Sequence, residues 1–460
     1  MRGLKRKIWI YALPVLLLLA VTLPHLEQGD FRAETAHYGA IGVQAWRAPA
    51  LFWTLHEHPA VPYFNKPPLV FWIHGLFLHY FGITLPAARV PSILAAAGCI
   101  LFTVGIARRW FGSATALASG VILALSYEYF RRTREISLDL WQLLFMMMAV
   151  WLWVLASRPG SQRLVWPAGM ALGLALLCKP LTALLVPCIL MIWIGSGVSA
   201  RTIKARHLAG LLLAALLVAL PWHLSMVHLY GDSFTRQYFG QEVAARLQGL
   251  RNREPIWYYA VEMGKTYWPW MLFFIVGLAR WWKGPVSRRH GHALMAALIW
   301  IAVWAVAITL FPDKRPRYAL PLYPMLAIIS AYGLMSLPWQ PLRRWYRRGL
   351  PITAILIVIM GGGASFLPLR VQVPPDPDLS ALVRWARKQQ PESLYSVAMT
   401  SSDESMVYLK TGSWPNPIRF TPHPATGSLM IYTDFIHPEP AATDESVFQQ
   451  GPYRVMRKAQ

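Results

Sequence analysis

Residues 290–321 read HGHALMAALIWIAVWAVAITLFPDKRPRYALP. Residues 290–310 are apolar and long enough to cross a bilayer, which takes ~20 mostly apolar residues. The run Asp313-Lys314-Arg315-Pro316-Arg317-Tyr318 then places three cations directly before another apolar stretch, 316–337. Working outward, the same texture recurs along the chain. Stretches near 8–26, 85–107, 112–128, 138–157, 164–178, 180–197, 206–223, 266–284 and 348–366 bring the count to eleven, with 112–128 and 164–178 the shortest. Apolar residues make up 55% of the chain and charged residues 14%, so the sequence predicts a polytopic α-helical membrane protein.

The net charge of +23 is unevenly placed. Basic clusters fall at Arg2–Lys7, Arg108–Arg109, Arg158 with Arg163, Arg201–Arg206, Arg280–Arg289 and Arg343–Arg348. Lys and Arg concentrate in short cytoplasmic loops. These clusters alternate correctly if 69–83, a short stretch with His74 and His79 that follows Pro67-Pro68, lies flat on the outer face as an interfacial helix. The first stretch follows basic residues but lacks a small-residue cleavage site, so it is read as an uncleaved helix with a cytoplasmic N-terminus. The basic excess then reflects topology and contact with anionic membrane lipids, with no call for nucleic acid.

On this topology the outer segments are 27–84, 129–137, 178–180, 224–265, 311–316 and the tail. They hold Glu34, His37, His56, Glu57, His58, Asn65 and Lys66, then Arg131, Arg132, Arg134 and Glu135 with the nearby Asp139, then Lys179, then Asp232, Arg236, Glu242 and Glu262, then Asp313–Arg317. Outer loops are polar because water is there, which accounts for His56 and Glu57. It accounts poorly for Asp139 and Lys179, which sit among apolar residues at helix ends, where charge is expensive. Cations in the outer run 314–317 oppose the usual charge bias, so they point to anchoring lipid headgroups or to holding a substrate phosphate.

The tail loses the long apolar runs. β-rich runs at Leu394–Met399, Met406–Leu409, Ile418–Phe420, Leu429–Tyr432 and Tyr453–Met456, with a helix at Leu379–Lys388, predict a small α/β soluble domain on the outer face. The division is 1–367 for the membrane domain and 368–460 for the tail. Asp403-Glu404 is its one acidic cluster, of the kind that is usually just solvated. Cys99, Cys178 and Cys188 lie in or beside spans and imply no disulfide framework. No metalloprotease, nucleotide-binding or dinucleotide-binding motif occurs, and no repeat is visible.

A carboxylate at the interface can deprotonate or orient an acceptor hydroxyl, and lysines and arginines can hold phosphate oxygens. A lipid-linked sugar phosphate suits such a site. In sequence order the chain shows Glu34-Thr35 and Tyr38; Asn65-Lys66-Pro67-Pro68-Leu69 with Phe71-Trp72; Phe81-Gly82; Ala88-Arg89-Val90-Pro91-Ser92; Arg108 to Gly112; Arg134 and Asp139; Lys179-Pro180; Pro221-Trp222; Tyr238-Phe239; Pro269-Trp270; and Lys314 followed by Arg317-Tyr318 and Leu320-Pro321. Over about 1–370 this ordered set resembles the fold-C (GT-C) glycosyltransferases, close to the bacterial aminoarabinose transferases of lipid A and the protein O-mannosyltransferases.

The resemblance implies an inverting transfer from a polyprenyl-phosphate (undecaprenyl-phosphate) sugar donor. The acceptor would be an envelope lipid such as lipid A, another glycan or a protein, at the periplasmic face of a bacterial inner membrane. It implies catalytic carboxylates in the first loop and near Asp139. The family's first-loop Asp is Ala33 here, which leaves Glu34 or Asp30 to replace it. Asp139 would support the base, or hold Lys66 and Arg134 in place. Lys66, Arg134, Lys179, Lys314, Arg317 and Tyr318 correspond to contacts with the donor phosphate. Some relatives bind a divalent metal through a Glu that is Asn65 here and a His replaced by Gln241-Glu242. His56, His58 and Glu242 are the candidate ligands left for a divalent metal, and no other cofactor is implied. Two other readings remain. A transporter or flippase for a lipid-linked sugar would show inverted repeats and mid-helix charges. A non-catalytic envelope assembly subunit draws support from Ala33.

Overall fold

The structure, a computed structural model, describes residues 2–31, 33–59, 61–199, 202–241, 254–283, 287–337, 376–389, 394–396, 401–412, 415–417, 429–433, 445–450 and 452–458. Every apolar stretch expected from the sequence is helical within these residues; 348–366 and the 367/368 boundary lie outside them. Among the described residues, five helical segments are long and apolar enough to cross a membrane: Leu85–Phe111, Leu138–Ala156, Ala205–Gly240, Arg288–Leu310 and Pro316–Ser336. Other apolar stretches form shorter helices, among them Ser113–Ala124 and Val165–Leu176, 12 residues each. The stretch expected at the interface forms the 12-residue helix Leu69–Tyr80. At 1.5 Å per residue that is roughly 18 Å, well short of a ~30 Å hydrocarbon core.

Two compact units emerge. The first comprises Met1–His25, Phe64–Val70 and Ser92–Pro368. Its helices approach closely where side chains vanish. A Cβ added at Gly277 of Trp270–Lys283 would lie 2.6 Å from the Ile329 carbonyl of Tyr323–Ser336, whose own Gly333 lies opposite. Small residues at such crossings let backbones pack by van der Waals contact, which drives helix association in lipid. Gly169 and Gly173 give Val165–Leu176 the same approach to Ala205–Thr235. That second helix runs past its expected end at 223. Met226 and Phe234 bury one face of the extension while its polar residues face out, and the break at Gly231 (φ 50°, ψ −124°) bends it without ending it.

The second unit comprises Leu26–Tyr63, Phe71–Pro91 and Leu369–Gln460. The first loop therefore packs with the tail. The tail holds a mixed five-stranded sheet in the order 416–417, 394–396, 429–433, 453–457, 445–450. Strand 394–396 is parallel to both of its neighbours, and the last two pairings are antiparallel. The expected helix appears as Pro377–Gln389. The Met406–Leu409 run is instead helical, within Ser401–Thr411. Four apolar residues cannot define a period, and the flanks decide: Asp403 and Glu404 fall in the first turn and Lys410 in the last, matching the helix dipole. Glu404 is buried and accepts a hydrogen bond from Ser396 Oγ at 2.5 Å, a structural use for that acidic cluster. Ile418–Phe420 lies outside the described residues.

Candidate active site

The first unit gathers a polar cluster at one end of its helices. Ser137 caps Leu138–Ala156, its side chain accepting from Leu140 N at 3.3 Å. Ser92 Oγ donates to the Glu135 carbonyl at 2.6 Å and accepts from Ser137 N at 3.1 Å, fixing the turn that precedes the helix. Asp139 and Gln142, three residues apart, share one face. The Gln142 amide donates to the Lys179 carbonyl, and its oxygen accepts from Thr182 Oγ1 at 2.9 Å. The Lys179 backbone is thus tied to the helix that carries Asp139, and Pro180 starts the next helix behind it.

The result is a charged pair, Lys179 Nζ to Asp139 Oδ1 at 2.7 Å. Arg317 Nε lies 3.8 Å from Asp139 Oδ2. The Tyr318 ring sits beneath both cations, 4.7 Å from Lys179 Nζ and 5.9 Å from the Arg317 guanidinium carbon, a cation–π arrangement. Asp139 therefore takes Lys179 and Arg317 as partners, where the sequence pointed to Lys66 and Arg134.

The 313–318 loop is held from below. Lys314 is buried, and its ammonium donates to the Glu254 and Phe311 carbonyls, both at 3.0 Å. Tyr259 Oη donates to the Arg315 carbonyl and accepts from Arg315 N, both at 3.3 Å. Burial pushes the Tyr259 phenol well above its ordinary pKa, so it stays a donor. Trp300 Nε1 donates to the Pro321 carbonyl at 2.7 Å. Lys314 thus closes the loop that presents Arg317 and Tyr318.

A second network missed by the sequence reading lies in the turn before Asp139. Arg132 pairs with Glu128 at 2.5 Å and with Glu135 at 2.9 Å, and Arg131 reaches Glu128 at 3.3 Å. Burial pulls the Arg132 pKa down, but Glu135 and Glu128 outweigh it and leave the guanidinium more firmly charged. The i,i+4 spacing of Glu128 and Arg132 was the available signal. Arg134 is buried on the adjoining turn, and burial lowers its pKa. Lys66 Nζ donates to the Asn65 carbonyl at 2.9 Å, and Asn65 Oδ1 accepts from Gln237 at 3.1 Å, joining the Asn-Lys-Pro-Pro segment to the Tyr238-Phe239 segment.

The second unit holds the other candidates. Glu34 lies in the first turn of Ala33–Arg47, where a carboxylate complements the helix dipole. Asp30 Oδ1 accepts from Phe31 N at 2.8 Å and lies 3.5 Å from Lys410 Nζ. His37, one turn after Glu34, is pushed down to about 4 by burial, with Glu34 acting in the opposite direction. His56 spends both ring nitrogens, on the Pro59 carbonyl and Thr54 Oγ1, each at 3.2 Å. Both ring nitrogens of His56 are thus engaged at the end of the strand His56–His58. His58 follows on the same short strand, and Glu242 lies outside the described residues. Among the described residues no group of three or more His, Cys, Asp and Glu converges to hold a metal.

Residues 65–225 match the family described as dolichyl-phosphate-mannose-protein mannosyltransferase. An undecaprenyl phosphate-alpha-4-amino-4-deoxy-L-arabinose arabinosyl transferase of Proteus mirabilis is 25% identical over 349 residues, 73% of this chain and 60% of that protein. An uncharacterized protein of Aquifex aeolicus is 28% identical over 274 residues, 59% of this chain and 53% of its own. The chain thus spans between about half and three-fifths of these curated relatives. Among solved structures, ArnT from Cupriavidus metallidurans bound to undecaprenyl phosphate superposes with a TM-score of 0.77 at 17% identity, covering 97% of both chains. The archaeal oligosaccharyltransferase AglB from Archaeoglobus fulgidus gives 0.60 at 14% identity, over 89% of this chain and 64% of AglB. The chain is therefore a polytopic helical protein of the GT-C fold, and it resembles the aminoarabinose transferases and the O-mannosyltransferases in sequence.

Proposed function

We propose that the protein is a membrane glycosyltransferase that moves a sugar from a polyprenyl-phosphate donor to a cell-envelope acceptor, in a bacterial inner membrane with its site facing the periplasm. The carrying observation is the part-buried cluster of Asp139, Lys179, Arg317 and Tyr318, in a chain with the ArnT-like fold. Two cations around one carboxylate leave a net positive site. The acceptor oxygen attacks the anomeric carbon, the carbon–oxygen bond to the phosphate breaks with inversion, and the polyprenyl phosphate departs with the electron pair. Cations preset around the departing phosphate stabilise the charge it gains. Glu34 takes the acceptor's proton or orients its hydroxyl. Lys66 and Arg134 supply further phosphate contacts, and the tail, 368–460, stands on the outer side.

The test is mass analysis of envelope lipids and glycans from cells with and without the gene, together with transfer by the purified protein from a synthetic polyprenyl-phosphate sugar. A mass difference of one sugar and release of polyprenyl phosphate are the expected results. A donor that crosses the membrane intact, with no sugar transferred, overturns the proposal in favour of a transporter.

A further inference from the structure

At the opposite end of the first unit's helices stands a second cluster, which the proposed reaction does not use. Leu138–Ala156 carries Asp139 in its first turn and Trp153 near its last, roughly 21 Å further along at 1.5 Å per residue. Arg288–Leu310 likewise begins with Arg288-Arg289 and leads at its far end into the 313–318 loop. By the basic-loop rule, the arginine end is cytoplasmic.

Two cavities open there. One, of ≈ 340 Å³, is lined by Arg109, Arg288, Arg289, His292, Trp153 and Ser199, with the indoles of Trp110 and Trp193 beside them. The other, of ≈ 460 Å³, is lined by Tyr11, Arg108, Arg109, Arg158 and Arg289. Arg109 and Arg289 belong to both, and among the described residues no carboxylate lines either. Guanidinium groups gathered without a counter-charge repel one another unless an anion joins them. Arg289 donates to the Arg109 carbonyl, and Arg108 lies over the Tyr11 ring at 5.8 Å, so the cluster is held in place by the protein.

A second observation points to a ligand. Trp153 Nε1 and Ser199 Oγ, both in residues lining the first cavity, are buried and make no hydrogen bond among the described residues. A buried donor without an acceptor is costly, and phosphate oxygens would satisfy both. Close in sequence to lining residues stand exposed apolar side chains: Ile8 and Trp9 before Tyr11, and Met191 and Ile192 before Trp193. Acyl chains can lie against them.

We propose that the paired cavities bind an anionic membrane lipid carrying two phosphates, one in each cavity, bridged by Arg109 and Arg289. Basic pockets between spans on the cytoplasmic side suit such headgroups. A lipid with a single phosphate fills one cavity only and is held less tightly.

The experiment is native mass spectrometry of the full chain in neutral detergent, with tetraoleoyl cardiolipin, phosphatidylglycerol and inorganic pyrophosphate as probes. Cardiolipin should be retained about 10-fold or more over phosphatidylglycerol, on the scale of one added charge-assisted contact. Arg109→Gln should lower that retention by a similar factor. Ser199→Leu, which fills the first cavity without removing a charge, should lower it as well and decides the matter if Arg109→Gln does not fold. Arg206→Gln, an exposed charge outside both cavities, should leave it unchanged. Equal retention of the two lipids, or equal loss in Arg206→Gln, overturns the proposal by showing general charge attraction. Pyrophosphate that binds and displaces cardiolipin at equal concentration overturns it in favour of a soluble phosphate ligand.

Discussion

Lys179 Nζ stands 2.7 Å from Asp139 Oδ1, and the two side chains, forty positions apart, are only 8% and 14% exposed. Removing Asp139 leaves the Lys179 ammonium without its carboxylate, and removing Lys179 leaves Asp139 with Arg317 at 3.8 Å in place of a partner at 2.7 Å. Asp139→Ala or Lys179→Ala should each destabilise the fold by ~3–5 kcal/mol, the scale for breaking a buried pair. The double variant Asp139→Ala with Lys179→Ala should lose clearly less than the sum of the two single losses. Thermal unfolding in detergent measures it. Additive losses in the double variant, with no coupling, would show that the pair does not act as a unit.

Arg317 is the cation with the weaker hold on Asp139, at 3.8 Å, and in the proposed reaction it turns toward the donor phosphate. Arg317→Ala and Lys66→Ala should each weaken donor binding by ~1.5–3 kcal/mol, the value of a hydrogen bond to a charged group. Titration with a polyprenyl-phosphate analogue reads the effect. Donor affinity unchanged in both variants would reject the phosphate assignment.

For the carboxylate role the informative variants are Glu34→Gln and Asp30→Asn. Glu34→Gln should lower turnover by ~10²-fold or more, the contribution of a general base, with donor binding retained. Asp30 already faces Lys410 at 3.5 Å, so Asp30→Asn should chiefly loosen the packing of the tail on the first loop. Normal turnover in Glu34→Gln and loss in Asp30→Asn would move the base to Asp30. Normal turnover in both would exclude a first-loop carboxylate.

His37 gives a pH signature. Burial holds it neutral in the fold down to about 4, against an ordinary value of 6.5, while the unfolded chain takes up its proton from about pH 6.5 downward. A depressed histidine pKa means the unfolded state binds the extra proton between these values, so stability falls as pH drops from about 6.5 toward 4. At about 1.4 kcal/mol per unit, the loss from this group is at most about 3.5 kcal/mol. His37→Phe should flatten the dependence of melting temperature on pH across that window. The same slope in the variant and the parent would falsify the assignment.

The helical membrane architecture was legible in the sequence because apolar length is a local property. Each expected span that falls in the described residues is helical, and five of the helical segments there are long and apolar enough to cross a membrane. Local reading failed where the signal was brief or polar. Met406–Leu409 is too short to show a period, and the turn of Ala205–Thr235 beyond 223 hides its buried face behind polar neighbours. The sites divided the same way. Asp139 and Lys179 stood out because a charge among apolar residues needs a reason. Glu128 and Arg132 were passed over because polar loops are expected to carry charge.

By itself, then, the sequence determined that this chain is a bundle of apolar helices with chemistry-bearing residues at their ends, since hydropathy and charge bias depend only on nearest neighbours along the chain. Which of those residues meet was decided by tertiary structure alone. Asp139 takes Lys179 and Arg317 because Gln142 and the buried Lys314 fix two distant backbones beside its helix. Asp30 takes Lys410 because the tail folds back on the first loop. Pairings between residues 40 and more positions apart depend on how helices and loops pack, and no periodicity in the chain encodes that.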